Sequence, residues 1–150
     1  MKNSLKNKHR VFLDTNIILD VLSSEYREHR EASRCIFQAI HNGELEGYIT
    51  TQSILDAQYI LSRERNFLMQ RFSQVMLYIL SFVNVTQIDG LSIREALKNP
   101  TGDFEDNVQF VQADSEDFDV VVTSDKSFLA RPSTDGPLFL SPEGLIEKMS

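Results

Sequence analysis

Cysteine is nearly absent from this chain: Cys35 is alone among 150 residues. That excludes a disulfide framework and a cysteine-rich zinc site. No apolar run reaches the ~20 residues needed to span a bilayer. The first ten residues are basic and polar with no apolar stretch behind them, so no secretory signal is expected and a cytoplasmic protein is. Only four Pro and six Gly punctuate the sequence, which carries no repeat, low-complexity tract or long linker. Excess positive charge is missing too: 15 Lys and Arg face 22 Asp and Glu, a formal charge of −7. A protein so acidic does not hold nucleic acid by bulk electrostatics. The question becomes where the acids sit.

Hydrophobic residues make up 41% of the chain and charged residues 25%, as in ordinary globular domains. At this length one domain can bury a sizeable core without staples. The expected organisation is a flexible basic tail over residues 1–9 and a single domain over 10–150. Arg10-Val-Phe-Leu13 reads as a buried strand ending at Asp14, with Ile17, Ile18, Val21 and Leu22 following at helical spacing. Residues 26–42 read as a helix with Ala32, Cys35, Ile36, Ala39 and Ile40 on its inner face, stopping at Asn42-Gly43. On that reading Cys35 is a buried, inert thiol.

Residues 47–50 predict a second strand, 53–63 a helix, and 65–82 a longer helix with a wide apolar stripe. Residues 83–88 alternate at period two, as a strand does. Ser92-x-x-Glu95 has the capping-box pattern, and Asn99-Pro-Thr-Gly102 reads as a loop. A helix over residues 103–115, a strand over 120–123, a loop over 131–137 and a strand over 138–140 follow. Ser141-Pro142 opens a final helix, with Ser as cap and Pro in its first position. Short apolar strands alternating with helices mean an α/β domain with a mainly parallel sheet. Such sheets bind ligands at the carboxyl ends of their strands.

Several acids fall at that edge. Asp14 ends the first strand, Asp56 lies in the first turn of the helix over 53–63, and Asp125 lies two residues past the strand over 120–123. Asp103 and Asp106 open the preceding helix, on one face at i, i+3 spacing. Each acid taken singly could simply cap a helix, and Ser53-x-x-Asp56 and Asp103-x-x-Asp106 both resemble capping boxes. Together they would bring like charges within a few Å, at a cost of several kcal/mol at intermediate dielectric. Lys126 is the one basic residue within two positions of Asp14, Asp56, Asp106 or Asp125. A divalent cation is the natural counter-charge, and an all-carboxylate set suits Mg2+ or Mn2+. His9, His29 and His41 share no ligand spacing, so zinc is not indicated.

Other acid-edged enzymes fit less well. A haloacid-dehalogenase-type phosphatase needs Asp-x-Asp after its first strand, and here the second position is Asn16. A response-regulator receiver needs an upstream acidic pair that is missing. There is no Gly-rich phosphate loop and no Gly-x-Ser-x-Gly elbow.

The segment Val11-Phe-Leu-Asp14-Thr-Asn16-Ile-Ile-Leu-Asp20 resembles the opening of PIN-domain ribonucleases. Thr51-Gln-Ser-Ile-Leu-Asp56 is similar to that family's second acidic position. Asp103-Phe-Glu-Asp106-Asn-Val-Gln109 resembles its third, and Val122-Thr-Ser-Asp125-Lys-Ser-Phe128 its fourth. The resemblance runs over about residues 10–140. It departs at Asp56, where the family usually has the longer Glu, and at Ser127, where it often has Asp.

The resemblance implies four or five parallel strands in order 3-2-1-4-5 with helices on both faces. It implies metal-dependent hydrolysis of RNA, with catalytic Asp14, Asp56, Asp106 and Asp125. Asp14, Asp106 and Asp125 would hold Mg2+ or Mn2+, and Asp56 would act through a water. Asn16, Thr123 and Asp103 would support them, the first two by orienting carboxylates. Many stand-alone members of this size resemble VapC-type toxins, which implies a small antitoxin partner and a homodimer. Arg27, Arg30, Arg34, Arg63, Arg65 and Lys126 are candidate RNA contacts, with Tyr26 and Tyr48 as candidate stacking platforms. Two alternatives stand beside this reading: a catalytically weakened module that scaffolds partners, and a metal-dependent phosphohydrolase acting on a small molecule.

Overall fold

The run Val11-Phe12-Leu13 is wholly buried and forms the end of β1 (His9–Leu13), the central strand of the sheet. A strand buried on both faces needs partners on both edges. β1 pairs in parallel with β2 (Leu45–Thr50) on one side and β4 (Val120–Val122) on the other, with Phe12 opposite Tyr48 and Val121. β3 (Asn84–Thr86) adds outside β2, and β5 (Leu138–Leu140) outside β4. All four pairings are parallel and the order is β3-β2-β1-β4-β5, the five-stranded form of the expected topology. The computed structural model describes residues 8–99, 102–130 and 136–150.

Parallel strands cannot be joined by hairpins, so helices cross over between them and cover the sheet. They are α1 (Thr15–Leu22), α2 (Arg30–His41), α3 (Thr51–Leu61), α4 (Met69–Leu80), α5 (Gly90–Leu97), α6 (Phe104–Ser115), α7 (Lys126–Leu129) and α8 (Pro142–Met149). Alternation along the strands divides the core. Val11, Leu13, Ile49, Val120 and Val122 join Ile17, Ile36, Ile40 and Leu145 in one cluster. Phe12 and Val121 point the other way, to Ala113, Phe118 and Phe128. Among the described residues no helix is long and apolar enough to cross a membrane.

Several element bounds differ from the sequence reading, each for a local reason. α2 starts at Arg30 rather than residue 26, because Arg30 itself caps the preceding loop, its guanidinium donating to Asp20 O (2.9 Å) and Ser23 O (2.7 Å). The buried residues of α2 are Ser33, Ile36, Phe37, Ala39 and Ile40, which leaves Cys35 exposed instead of buried. α2 ends as read, with Gly43 at φ 79°, the left-handed region that glycine enters without strain.

α4 begins at Met69 rather than residue 65, since Glu64 is held in the preceding turn by the hydroxyls of Ser23 and Ser24. The 83–88 strand shortens to Asn84–Thr86: it lies at the sheet edge, and Val85 is exposed. α5 is capped by Asp89, which accepts from Ser92 N (2.8 Å), so Ser92 is not a cap and lies inside the helix. α8 is capped as read, by Ser141 ahead of Pro142. His9, read as tail, belongs to β1. Residues 1–7 of the tail, 100–101 of one loop and 131–135 of another lie outside the described residues.

Candidate active site

The carboxyl ends of β1, β2 and β4 meet the first turns of α1, α3 and α7, and α6, which runs back towards β4, brings its own N-terminus to the same edge. Chain direction alone therefore collects the acids. Asp14 follows β1 and caps α1, its Oδ1 accepting from Thr15 N (2.7 Å). Its Oδ2 accepts from Thr123 Oγ1 (2.8 Å), on the residue after β4. Thr123 is fully buried and its Oγ1 also accepts from Asp125 N (3.1 Å), so one hydroxyl sets the spacing of two acids on neighbouring strands. Burial pushes the Asp14 carboxyl up, against hydrogen bonds from Thr123, Thr15 and Gln109, while the charge of Asp125 pushes in the same direction as burial.

Asp125 caps α7 and accepts from the Ser127 N–H (2.9 Å) and hydroxyl (2.7 Å), which hold its pKa below the ordinary carboxylate value against the effect of burial. The same Ser127 Oγ lies 3.4 Å from Asp106 Oδ2. Ser127, at the position where an Asp is common, thus joins the third acidic segment to the fourth.

Asp103 caps α6, accepting from Asp106 N (3.0 Å), as its capping-box position suggests. Asp106 caps nothing. Loss of solvation, followed by the charges of Asp125, Asp103 and Asp14, pushes it up to about 6. A carboxylate whose pKa is raised this far marks a place short of positive charge.

The second acidic segment is built differently from its expectation. α3 begins at Thr51, capped by Thr50 Oγ1, which accepts from Ser53 N (2.9 Å). Asp56 therefore lies in the second turn rather than the first, and Ser53 caps nothing. Its hydroxyl instead accepts from Thr15 Oγ1 (3.0 Å) and Thr50 Oγ1 (3.0 Å), tying the starts of α1 and α3 together. Asp56 accepts from Gln52 Nε2 (2.8 Å).

Asp14, Asp56, Asp103, Asp106 and Asp125 all line one groove of about 460 Å³. Glu105, passed over in the sequence, lines it as well. Burial first, then the charges of Asp56, Asp14, Asp103 and Asp106, raise its pKa. Its position beside Asp106 hid it, because i and i+1 residues diverge on a helix and only the approach of α3 brings Glu105 to Asp56. Gln109, also unremarked in the sequence, lies one turn past Asp106 on the same wall. Among the described residues no Lys or Arg lines the groove.

Asn16 lines the groove and accepts from Arg27 through its backbone oxygen (3.4 Å) and Oδ1 (3.5 Å). Arg27 itself is paired with the buried Asp20 (3.0 Å), which also accepts from Ser33 Oγ (2.6 Å). The expected cationic face of Arg27, Arg30 and Arg34 does not form. Arg27 precedes α2, Arg30 is turned onto backbone carbonyls, and Arg34 pairs with Glu31 (2.9 Å). Arg63 stacks on Tyr59, 4.6 Å from the ring centroid. Arg65 and Lys126 are exposed. Tyr26 is 89% exposed, whereas Tyr48 is packed against Phe118 and covered by Arg10.

Among the described residues no three His, Cys, Asp or Glu side chains are already gathered around a single point as a metal's ligands would be. The donor set itself fits a hard divalent cation. It is all oxygen, supplied from the first turns of helices and from Asp56 one turn further on, with an excess of like charge and, among the described residues, no side-chain cation lining the groove to offset it.

A family model for the PIN domain matches residues 10–127. Two solved structures are similar in fold. One is PAE2754 from Pyrobaculum aerophilum, 20% identical, with a TM-score of 0.61 over 94% of this chain and 95% of that one. The other is VapBC2 from Rickettsia felis bound to a DNA fragment from their promoter, 15% identical, with a TM-score of 0.62 over 88% of this chain and 98% of that one. No curated protein matches the chain.

Proposed function

The chain belongs to the PIN-domain family, and on that premise we propose that it is a ribonuclease dependent on Mg2+ or Mn2+. One observation carries the reading: among the described residues, six carboxylates share a groove that no Lys or Arg lines, and two of them, Asp106 and Glu105, are held above their ordinary pKa by burial and by their neighbours. Asp14, Asp106 and Asp125 hold the cation. When bound, such a cation lowers the pKa of a water and offsets charge on a scissile phosphate.

The protein's own part is to fix the carboxylates. Thr15 N–H and Thr123 Oγ1 lock both oxygens of Asp14, and Ser127 locks Asp125 while reaching Asp106. Asp56, one methylene shorter than the family's Glu, acts through a water. Attack by water in line with the leaving oxygen gives 5′-phosphate and 3′-hydroxyl ends and makes no chemical use of the 2′-hydroxyl, so selection of RNA falls to the groove walls.

Pairing with a small antitoxin protein, and assembly as a homodimer, are part of the same proposal. The likeness in fold to VapBC2 supports a partner. So do exposed Leu55, Tyr59 and Ile60 on α3 beside the groove, an apolar surface that a lone soluble domain has no use for.

The test is incubation of purified protein with labelled single-stranded RNA and with p-nitrophenyl phosphate, in Mn2+ and in excess EDTA. RNA cleavage in Mn2+ alone is expected. Equal cleavage in EDTA refutes the metal requirement, and turnover of the phosphate ester without RNA cleavage refutes the substrate.

A further inference from the structure

The buried ion pair of Asp20 and Arg27 has a third member, and it leads into the acidic groove. Asp20 is 2% exposed and both its oxygens are taken, Oδ1 by Arg27 Nε (3.0 Å) and Oδ2 by the buried Ser33 Oγ (2.6 Å). A guanidinium anchored in this way has little freedom. Its Nη2 donates to Asn16, at 3.4 Å to the backbone oxygen and 3.5 Å to Oδ1. Asn16 and Asp20 lie four residues apart on α1, one turn along the same face, so the planar fork of Arg27 spans both.

Arg27 thereby decides which way the Asn16 amide faces. A guanidinium only donates, so it takes the amide oxygen; turned over, the amide would set its own N–H groups against it. Oδ1 is engaged, and Nδ2 is the free branch. Nδ2 has no hydrogen-bond partner among the described residues. The one buried side-chain polar atom without a partner among them is Gln109 Oε1, so Nδ2 is reached by solvent. Asn16 lines the acidic groove, two residues after Asp14.

The expected role of Asn16, orienting carboxylates by hydrogen bonds, is therefore not what the geometry shows: among the described residues no carboxylate of the groove accepts from it. An amide oxygen turned to a guanidinium is also a poor ligand for a cation. What the side chain offers the groove is an N–H donor, and a donor suits an anion. The anion expected there is the phosphodiester, whose charged oxygens accept hydrogen bonds about twice as strong as neutral ones.

We propose that Asn16 is a substrate-contact residue, its Nδ2 donating to a non-bridging phosphate oxygen of the RNA, and that Arg27 is the positioning residue that turns this donor to the groove. The inference rests on the ribonuclease reading above. It gives Arg27 a part in RNA recognition without a contact of its own, because the guanidinium acts through Asn16 while Asp20 and Ser33 hold it still.

Asn16→Ala, Arg27→Lys and the double variant, in the full chain, are compared with wild type. The measurements are kcat/KM on a labelled single-stranded RNA oligonucleotide in Mn2+, calorimetric titration with Mn2+, and melts in EDTA. Asn16→Ala should lose about 10–100-fold in kcat/KM, the range for a hydrogen bond to a charged group, while keeping Mn2+ affinity within about threefold. Lys keeps the charge and can still pair with Asp20, but its single ammonium cannot span Asp20 and Asn16, so Arg27→Lys should lose about 3–10-fold. The double variant should match Asn16→Ala to within about twofold, since a residue that acts through another adds nothing once that other is gone. Asn16→Ala leaves the Asp20–Arg27 pair intact, so its result stands whatever Arg27→Lys does to the melt. An Asn16→Ala protein with wild-type kcat/KM, or one whose Mn2+ affinity falls as far as its kcat/KM, overturns the contact. Losses that multiply in the double variant overturn the role of Arg27. Wild type that leaves the RNA uncut in Mn2+ overturns the ribonuclease reading itself and this inference with it, a result distinct from the others.

Discussion

Replacing Asp106 with Asn should make the metal-free protein more stable, and the size of the gain follows from the acid's surroundings. The folded state pushes the Asp106 carboxyl from 3.8 up to about 6, through loss of solvation and then the charges of Asp125, Asp103 and Asp14. A rise of that size corresponds to about 3 kcal/mol of differential interaction. Asp106 is only half-buried, so solvent screening reduces the usable figure to about 1 kcal/mol. Asn keeps the shape and can still accept from Ser127 Oγ.

The sign depends on pH. A carboxyl whose folded pKa is raised costs nothing below its unfolded value, where both states are protonated. Stability is then lost as pH rises through the folded value, because only the unfolded chain ionises freely. Asp106→Asn should therefore melt about 2–4 °C above wild type in EDTA at about pH 8. The two should nearly coincide at about pH 4, where the difference has not yet developed. Mn2+ should reverse the order at about pH 8, since a ligand held only by the native state adds about 2.7 kcal/mol at a hundredfold excess over its Kd. Scanning calorimetry in matched buffers reads all three. A gain that is absent in EDTA, or equal at both pH values, refutes the claim that crowded, desolvated charge controls this site.

Two neighbours of the site give further expectations. Asp103 accepts the Asp106 N–H as a helix cap, so Asp103→Asn should retain nuclease activity and lie within about 0.5 kcal/mol of wild type, whereas Asp103→Ala should lose about 1 kcal/mol; an inactive Asp103→Asn beside an active Asp106→Asn would reverse the two assignments. Arg27 is the ionic partner of the buried Asp20, so Arg27→Ala should cost about 3 kcal/mol in urea denaturation by leaving a buried charge unpaired. A loss below about 1 kcal/mol would show instead that the guanidinium is free to serve as a surface contact.

What the sequence determined by itself is what depends on neighbours along the chain. The buried run Val11-Phe12-Leu13, the Asp103 and Ser141 caps and the stop at Asn42-Gly43 are set by period and by offsets of three or four residues, and each stands where those offsets put it. The succession of short strands and helices likewise fixes a parallel sheet, and with it the gathering of Asp14, Asp106 and Asp125 at one edge.

Tertiary structure decided whatever depends on which face meets which neighbour. Cys35 is one residue off the inner face of α2 and ends up outside. Asp89 displaces Ser92 as a cap because Gln112, twenty residues on, takes the Ser92 hydroxyl. Arg27 belongs to Asp20 instead of a cationic helix face. Glu105 and Gln109 join the acidic groove only through the approach of α6 to α3 and to the end of β1, contacts between segments some fifty to a hundred residues apart that leave no periodic trace in the chain.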